Sequence, residues 1–121
     1  MSTTVIHIPG QLTDLNSYIR AERGNRYAAA KLKKDDTERV AWLSKGHKIE
    51  KYPVNITLQW FLKDGRIDPD NVSFGGKAIL DGLVIAGVLK DDSLKYIKSI
   101  AHVFEIDKSD PRVEVEISPV S

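Results

Sequence analysis

Cysteine is absent from the sequence, which excludes disulfide bridges, thiolate nucleophiles and zinc sites built on sulfur. Long hydrophobic runs are absent as well, since no apolar stretch approaches the roughly 20 residues that cross a bilayer. The opening Met1–His7 has no basic segment followed by an apolar one, so no signal peptide is expected and the chain reads as cytoplasmic. Histidine is scarce, and His7, His47 and His102 are too widely spaced for a metal-ligand or triad pattern; each reads as structural or exposed. There is no P-loop, Rossmann glycine fingerprint or nucleophile elbow. Gly75-Gly76-Lys77 lacks the preceding glycine and the following Ser/Thr of a Walker motif. Asp64, Asp68 and Asp70 lack the glycine and distal glutamate of an EF-hand loop.

What is present is an ordinary globular composition, 41% hydrophobic and 29% charged, in 121 residues that read as one domain, 1–121. The net charge of +1 conceals a division. Residues 1–51 hold ten Lys/Arg against six Asp/Glu, or +4, and residues 52–121 hold eight against eleven, or −3. Such blocks suit a nucleic-acid footprint beside a carboxylate cluster, and equally suit solvated helix charges, because the pI of 7.9 is well below that of a strongly basic binder.

Hydrophobic periodicity gives the elements. Val5–Ile8 reads as a strand stopped by Pro9-Gly10. Thr13 or Asp14 caps a short helix ending near Gly24, and Asn25 caps a longer one favoured by Ala28–Ala30 and terminated by Gly46. The longer helix has an apolar stripe of Ala29, Leu32, Val40 and Leu43, interrupted by Asp36, and an exposed side of Arg26, Lys31, Lys33, Lys34 and Arg39. Val54, Ile56, Leu58 and Trp60 alternate with polar residues, the period of a strand with one buried face. A turn at Lys63–Arg66 follows, then a helix from about Lys77 to Ala86 ended by Gly87. Tyr96–Ile106 and Arg112–Ile117 read as two strands of an antiparallel hairpin. The fold class is α/β or α+β: a small mixed sheet of about four strands with two or three helices.

Carboxylates carry the remaining chemistry. Asp68 and Asp70, two apart at the end of a strand, would share a face and repel unless a cation sat between them. Hard oxygen ligands suit Mg²⁺ or Mn²⁺. Asp91 and Asp92 follow a helix that can carry the chain back to the first pair. Three carboxylates around Mg²⁺ can activate a water against a phosphodiester, and Lys77 could neutralise charge growing on the phosphate. Taken alone, the Asp-x-Asp-Asn motif and the Asp91-Asp92 pair are also ordinary turn and loop chemistry.

The segment as a whole is more specific. Asp68-Pro69-Asp70-Asn71, then Lys77 four residues before Asp81 in a helix, then Gly87 and the Asp91-Asp92 pair, resembles the signature of the RusA family of Holliday junction resolvases. The resemblance is strongest over residues 66–97. It extends more loosely to the trailing strands and to an amino-terminal part similar to phage-borne relatives from Gram-positive hosts. It implies a RusA-like fold and a metal-dependent endodeoxyribonuclease that resolves branched DNA by paired cuts, working as a homodimer in the cytoplasm of a bacterial host. It further implies Asp68, Asp70 and Asp92 as metal ligands with Asp91 as a possible extra one, and Lys77 as the catalytic lysine. Asp81 would pair with Lys77 or be purely structural. The lysine falls three residues later than in the enterobacterial form, which leaves Lys90 and Lys95 as alternatives. In this context Arg20, Arg23, Arg26, Lys31, Lys33 and Lys34 would contact DNA phosphates, and Tyr18, Tyr27 or Phe74 could wedge at the branch point. The competing expectations are a non-enzymatic DNA-binding phage accessory protein and a protein-interaction module.

Overall fold

A computed structural model describes residues 3–120. The elements run β1 (Thr4–Pro9), α1 (Leu15–Gly24), α2 (Arg26–Ser44), β2 (Val54–Leu62), α3 (Pro69–Ser73), α4 (Gly76–Ile85), β3 (Ile97–Ile106) and β4 (Arg112–Pro119). The strands form one mixed sheet in the order β1-β4-β2-β3, with β3 parallel to β2 and the other pairs antiparallel. With three helices of two or more turns and the single-turn α3, this is an α+β fold.

Alternation along the strands decides which face is covered. Ile6 and Ile8 of β1, Val54, Ile56, Leu58 and Trp60 of β2, and Val113, Val115 and Ile117 of β4 are all buried on one face. The intervening His7, Asn55, Thr57, Gln59, Glu114 and Glu116 lie on the other, more accessible face. The core is completed from the helices by Val40, Ile79 and Leu83. Residue for residue, full burial of such side chains is worth about 1.5–3 kcal/mol each.

The helix boundaries follow their caps. The Asp14 carboxylate accepts from Ser17 N–H at 2.7 Å and opens α1. The Asn25 side chain accepts from Tyr27 N–H at 2.8 Å and opens α2, as the sequence predicts. Asp36, which breaks the apolar stripe of α2, accepts from Thr13 N–H at 2.7 Å and so pins the segment before α1 onto α2. Two other positions on α2 differ from the expectation. Leu43 is 37% exposed, and Thr37 and Ser44 are buried in the stripe instead. Arg39 turns back, donating to the carbonyls of Pro9 at 3.0 Å and Gln11 at 3.4 Å, so it braces a loop rather than facing solvent.

The expected β3–β4 hairpin does not form: both strands pair with β2, one on each side. Crossing one intervening strand requires roughly 10 Å, within the roughly 17 Å that a five-residue link can span. The link arches over the end of β2, where Asp107 N–H donates to the Leu62 carbonyl at 2.7 Å.

Helix α4 packs against α2 through Gly82. A Cβ at Gly82 would lie 2.7 Å from Val40 Cβ and 2.9 Å from the Thr37 carbonyl oxygen. The backbone oxygen cannot rotate aside, so this position tolerates only hydrogen. Gly82→Ala should destabilise the fold by about 1–3 kcal/mol despite alanine's better helix propensity. Gly24→Ala, where nothing lies within 4 Å, should be neutral or mildly stabilising. Urea unfolding of the two variants checks this, and equal stabilities would refute the close crossing.

Candidate functional site

Asp68 and Asp70 do not sit on a strand. Pro69 takes the first position of α3, which its fixed φ favours, and this makes Asp68 the N-cap and places Asp70 in the first turn. Asp68 has extended backbone, φ −78° and ψ 147°, as expected before proline. Most N-cap carboxylates bond a backbone N–H, but the Asp68 side chain makes no such bond. Both carboxylates are exposed, and among the described residues neither has a hydrogen-bonded or ion-paired side-chain partner. The neighbouring Asn71 is structural: its Oδ1 accepts from Asn16 N–H at 2.8 Å, satisfying one of the free donors at the start of α1.

Lys77 lies in the first turn of α4, raised there by the close seating of Gly75 and Gly76. A Cβ at Gly75 would meet Leu12 and Trp60 at 3.1 Å, and one at Gly76 would meet Leu58 at 3.4 Å and His102 at 3.5 Å. The Lys77 ammonium donates to Asp81 at 3.0 Å and stands 3.6 Å from an Asp92 oxygen. The hydrogen bond to Asp81, more than the field of Asp92, holds the lysine pKa above its ordinary value. Lys77 is therefore a cation over the whole physiological range. Lys90 and Lys95 do not compete for this place: their ammonium groups lie over the rings of Tyr52 and Tyr96, 5.6 and 5.5 Å from the centroids. Asp91 shapes the turn, its carboxylate accepting from Asp92 N–H at 2.9 Å. The loop itself is anchored by Tyr52, whose hydroxyl accepts from Lys90 N–H at 3.0 Å.

The structure thus brings Lys77, Asp81 and Asp92 together. Among the described residues, no three acidic or histidine side chains are grouped closely enough to hold a metal ion. Asp68 instead lines a cleft of about 450 Å³ between the start of α1, the end of β2 and the segment leading into α3. Arg20 and Lys63 share that cleft, and neither has a carboxylate within ion-pairing distance among the described residues. Arg66, also lining it, is loosely paired with Asp64 at 4.0 Å.

All six expected DNA-contacting cations, Arg20, Arg23, Arg26, Lys31, Lys33 and Lys34, are exposed. Lys31 is paired with Asp35 at 2.8 Å and Lys34 with Glu38 at 3.9 Å, so the field of α2 is weaker than its lysine count suggests. Lys33 borders the same shallow recess as Lys77, which brings the basic helix to the candidate lysine. Tyr18 and Phe74 pack on each other with centroids 5.1 Å apart and are half-buried; Tyr27 is 73% exposed.

Sequence reasoning missed Arg112. Its guanidinium bonds Glu114 at 2.6 Å and Asp107 at 2.8 Å and lies 3.8 Å from the centroid of Phe61. The hydrogen bond from Arg112 holds the Asp107 carboxyl below its usual range. The signal was the run Asp107, Asp110, Arg112, Glu114, charges of opposite sign at a strand start. A second missed pair is Trp60 and His102: the indole N–H donates to His102 Nδ1 at 3.0 Å.

Partial burial lowers the His102 pKa from 6.5, and the Trp60 bond requires an unprotonated Nδ1. The unfolded chain then binds more protons than the folded one as pH falls through 6.5. Stability should fall with decreasing pH below that point until the folded pKa is passed. In His102→Gln this part of the slope should vanish. Urea midpoints at pH values on either side check it, and an unchanged slope in the variant would remove His102 as the cause.

A comparison with models of protein families finds no match to the chain, and a comparison with curated proteins finds none either.

Proposed function

We propose that the chain is a metal-dependent endodeoxyribonuclease that cuts branched DNA, with a four-way junction as substrate and a homodimer as the working form. The observation that supports this most is the meeting of Lys77 with Asp81, one helical turn on, and with Asp92 from the loop that follows the helix, all residues of one acidic-lysine pattern. Two unspent carboxylates, Asp68 and Asp70, complete the set of candidate groups.

Mg²⁺ is the proposed cofactor, with Mn²⁺ as the other candidate. The donor chemistry fits a hard cation, since every candidate ligand is a carboxylate: Asp68, Asp70 and Asp92, with Asp91 as an extra donor. When bound, the ion would supply Lewis acidity and a water of lowered pKa. The chain's own groups do the rest. Arg20 and Lys63 in the cleft, and Lys33 beside Lys77, attract and place the phosphate backbone. Lys77, held protonated by Asp81, offers a fixed positive charge to the phosphate as negative charge grows.

A second reading is a non-enzymatic DNA-binding protein, favoured by the lack of a three-ligand group among the described residues. Incubation with linear and four-way DNA, with and without Mg²⁺, separates the two: the nuclease nicks only with the metal, and the binding protein shifts the DNA without cutting it.

Asp70→Asn should abolish Mg²⁺-dependent cleavage while sparing junction binding in gel shifts; cutting at the wild-type rate would remove Asp70 from the site. Lys77→Ala should slow cleavage by about 10²-fold, with little change in metal affinity. A wild-type rate in that variant would remove Lys77 from the chemistry.

A further inference from the structure

The residues between α4 and β3 carry Asp92 to Lys77, and each end of that stretch is anchored on its own side. At the α4 end, Val88 and Leu89 are buried, and their backbone N–H groups donate to the Leu83 carbonyl at 2.9 and 3.2 Å. At the β3 end, the N–H groups of Tyr96 and Ile97 both donate to the Ser93 carbonyl at 3.0 Å. Lys90, Asp91 and Asp92 lie between these anchors, and Lys90 and Asp91 are exposed. Among the described residues, two polar contacts tie these three to the rest of the molecule. One is the hydrogen bond from Lys90 N–H to the Tyr52 hydroxyl at 3.0 Å, and the other is the Lys77–Asp92 contact itself at 3.6 Å.

Tyr52 reaches the loop from a different part of the chain, the segment joining α2 to β2, two residues before the buried Val54. Its ring packs against the core and meets Tyr96 edge-on, with centroids 5.2 Å apart and planes at 83°. Tyrosine has only two side-chain torsions, so packing that fixes the ring also fixes the oxygen. The hydroxyl spends both of its functions on the loop, accepting from Lys90 N–H and donating to the Val88 carbonyl at 3.5 Å. Lys90 is two residues from Asp92, so a backbone shift at Lys90 carries over to the Asp92 carboxylate. The attraction between Asp92 and Lys77 varies with their separation and follows that shift.

We propose that Tyr52 is a positioning residue: through its hydrogen bond to Lys90 it sets the place of the Asp92 carboxylate, and hence the orientation of the Lys77 ammonium. Its effect on the loop stands by itself, while its catalytic consequence rests on the nuclease reading. Asp81, on the same helix as Lys77, holds the lysine from its own side whatever the loop does. Tyr52 therefore governs the part of the lysine's surroundings that arrives through Asp92.

Tyr52→Phe tests this, because it deletes the oxygen and keeps the ring and its packing. The readout is the proton–nitrogen NMR signal of the Lys77 ammonium, taken at one pH with neither DNA nor metal. Tyr52→Phe should move that signal in the same direction as Asp92→Asn. In the double variant it should add nothing, because both changes act on one contact. Tyr96→Phe, which removes a hydroxyl with no hydrogen bond among the described residues, should leave the signal in place. An unmoved signal in Tyr52→Phe, an additive shift in the double variant, or an equal shift in Tyr96→Phe would each overturn the proposal. On four-way DNA with Mg²⁺, Tyr52→Phe should lower kcat about tenfold with KM unchanged, and an unchanged kcat would overturn the link to catalysis. A wild type that does not cut defeats the nuclease reading alone, and the ammonium signals still decide the role of Tyr52.

Discussion

Helix α4 meets its neighbours with bare backbone, and the position of every candidate group near Lys77 depends on that contact. Gly75 faces Leu12 and Trp60, Gly76 faces Leu58 and His102, and Gly82 faces Val40 and the Thr37 carbonyl. Ile79 and Leu83 fill the core between these points. With that face committed, Lys77 and Asp81, four residues apart, are left beside each other at the surface. The helix then ends at Gly87, whose φ of +78° turns the chain, and the loop held by Tyr52 delivers Asp92 to the same lysine. A small displacement of α4 would move the ammonium group away from a carboxylate fixed by a different segment.

Electrostatics divide the cations into spent and unspent. Arg112 is the most heavily engaged, with three acidic neighbours and an aromatic ring beneath it, and its work is to close the end of the sheet. Arg39 is spent on backbone carbonyls, and Lys31 and Lys34 on acids one helical turn away. Exposed pairs of that kind contribute little to stability, but they do cancel field. Among the cations without an acidic partner in the described residues, Arg20 and Lys63 line the cleft that holds Asp68, and Lys33 borders the recess of Lys77. Lys48 and Lys51, also without an acidic partner among the described residues, line a separate recess with Thr4 and Ile117.

Local signals were legible in the sequence, and relations between segments were not. Asp14 and Asn25 as caps, the alternation of β2, and the glycine end of α4 were readable because each is settled within a few residues. The partner of β3 is not a local matter: the same alternation fits a hairpin with β4 or a parallel pairing with β2, and only the central place of β2 decides it. Leu43 and Ser44 depart from the expected stripe because α2 packs against α1, α4 and β1 together, so no single apolar row defines its buried side. The pattern led to Asp68, Asp70 and Asp92 as one set, whereas the structure places Asp92 with Lys77 and Asp81 and groups no three such ligands among the described residues; the division of labour within Asp91-Asp92 depends on which of them the loop bonds internally.

Proline at the first position of α3 has a chemical consequence for the acidic pair. Asp68, with extended backbone, stands just outside the helix as its N-cap and Asp70 lies in the first turn, so the two do not share the face of a strand. The fold also leaves the Asp68 carboxylate unspent, although the N-cap position offers backbone donors that Asp14 uses in α1. Asp81 and Asp91 have already given their oxygens to Lys77 and to a backbone N–H. Of the acidic groups in the pattern, Asp68 and Asp70 are the ones whose carboxylates have no partner among the described residues.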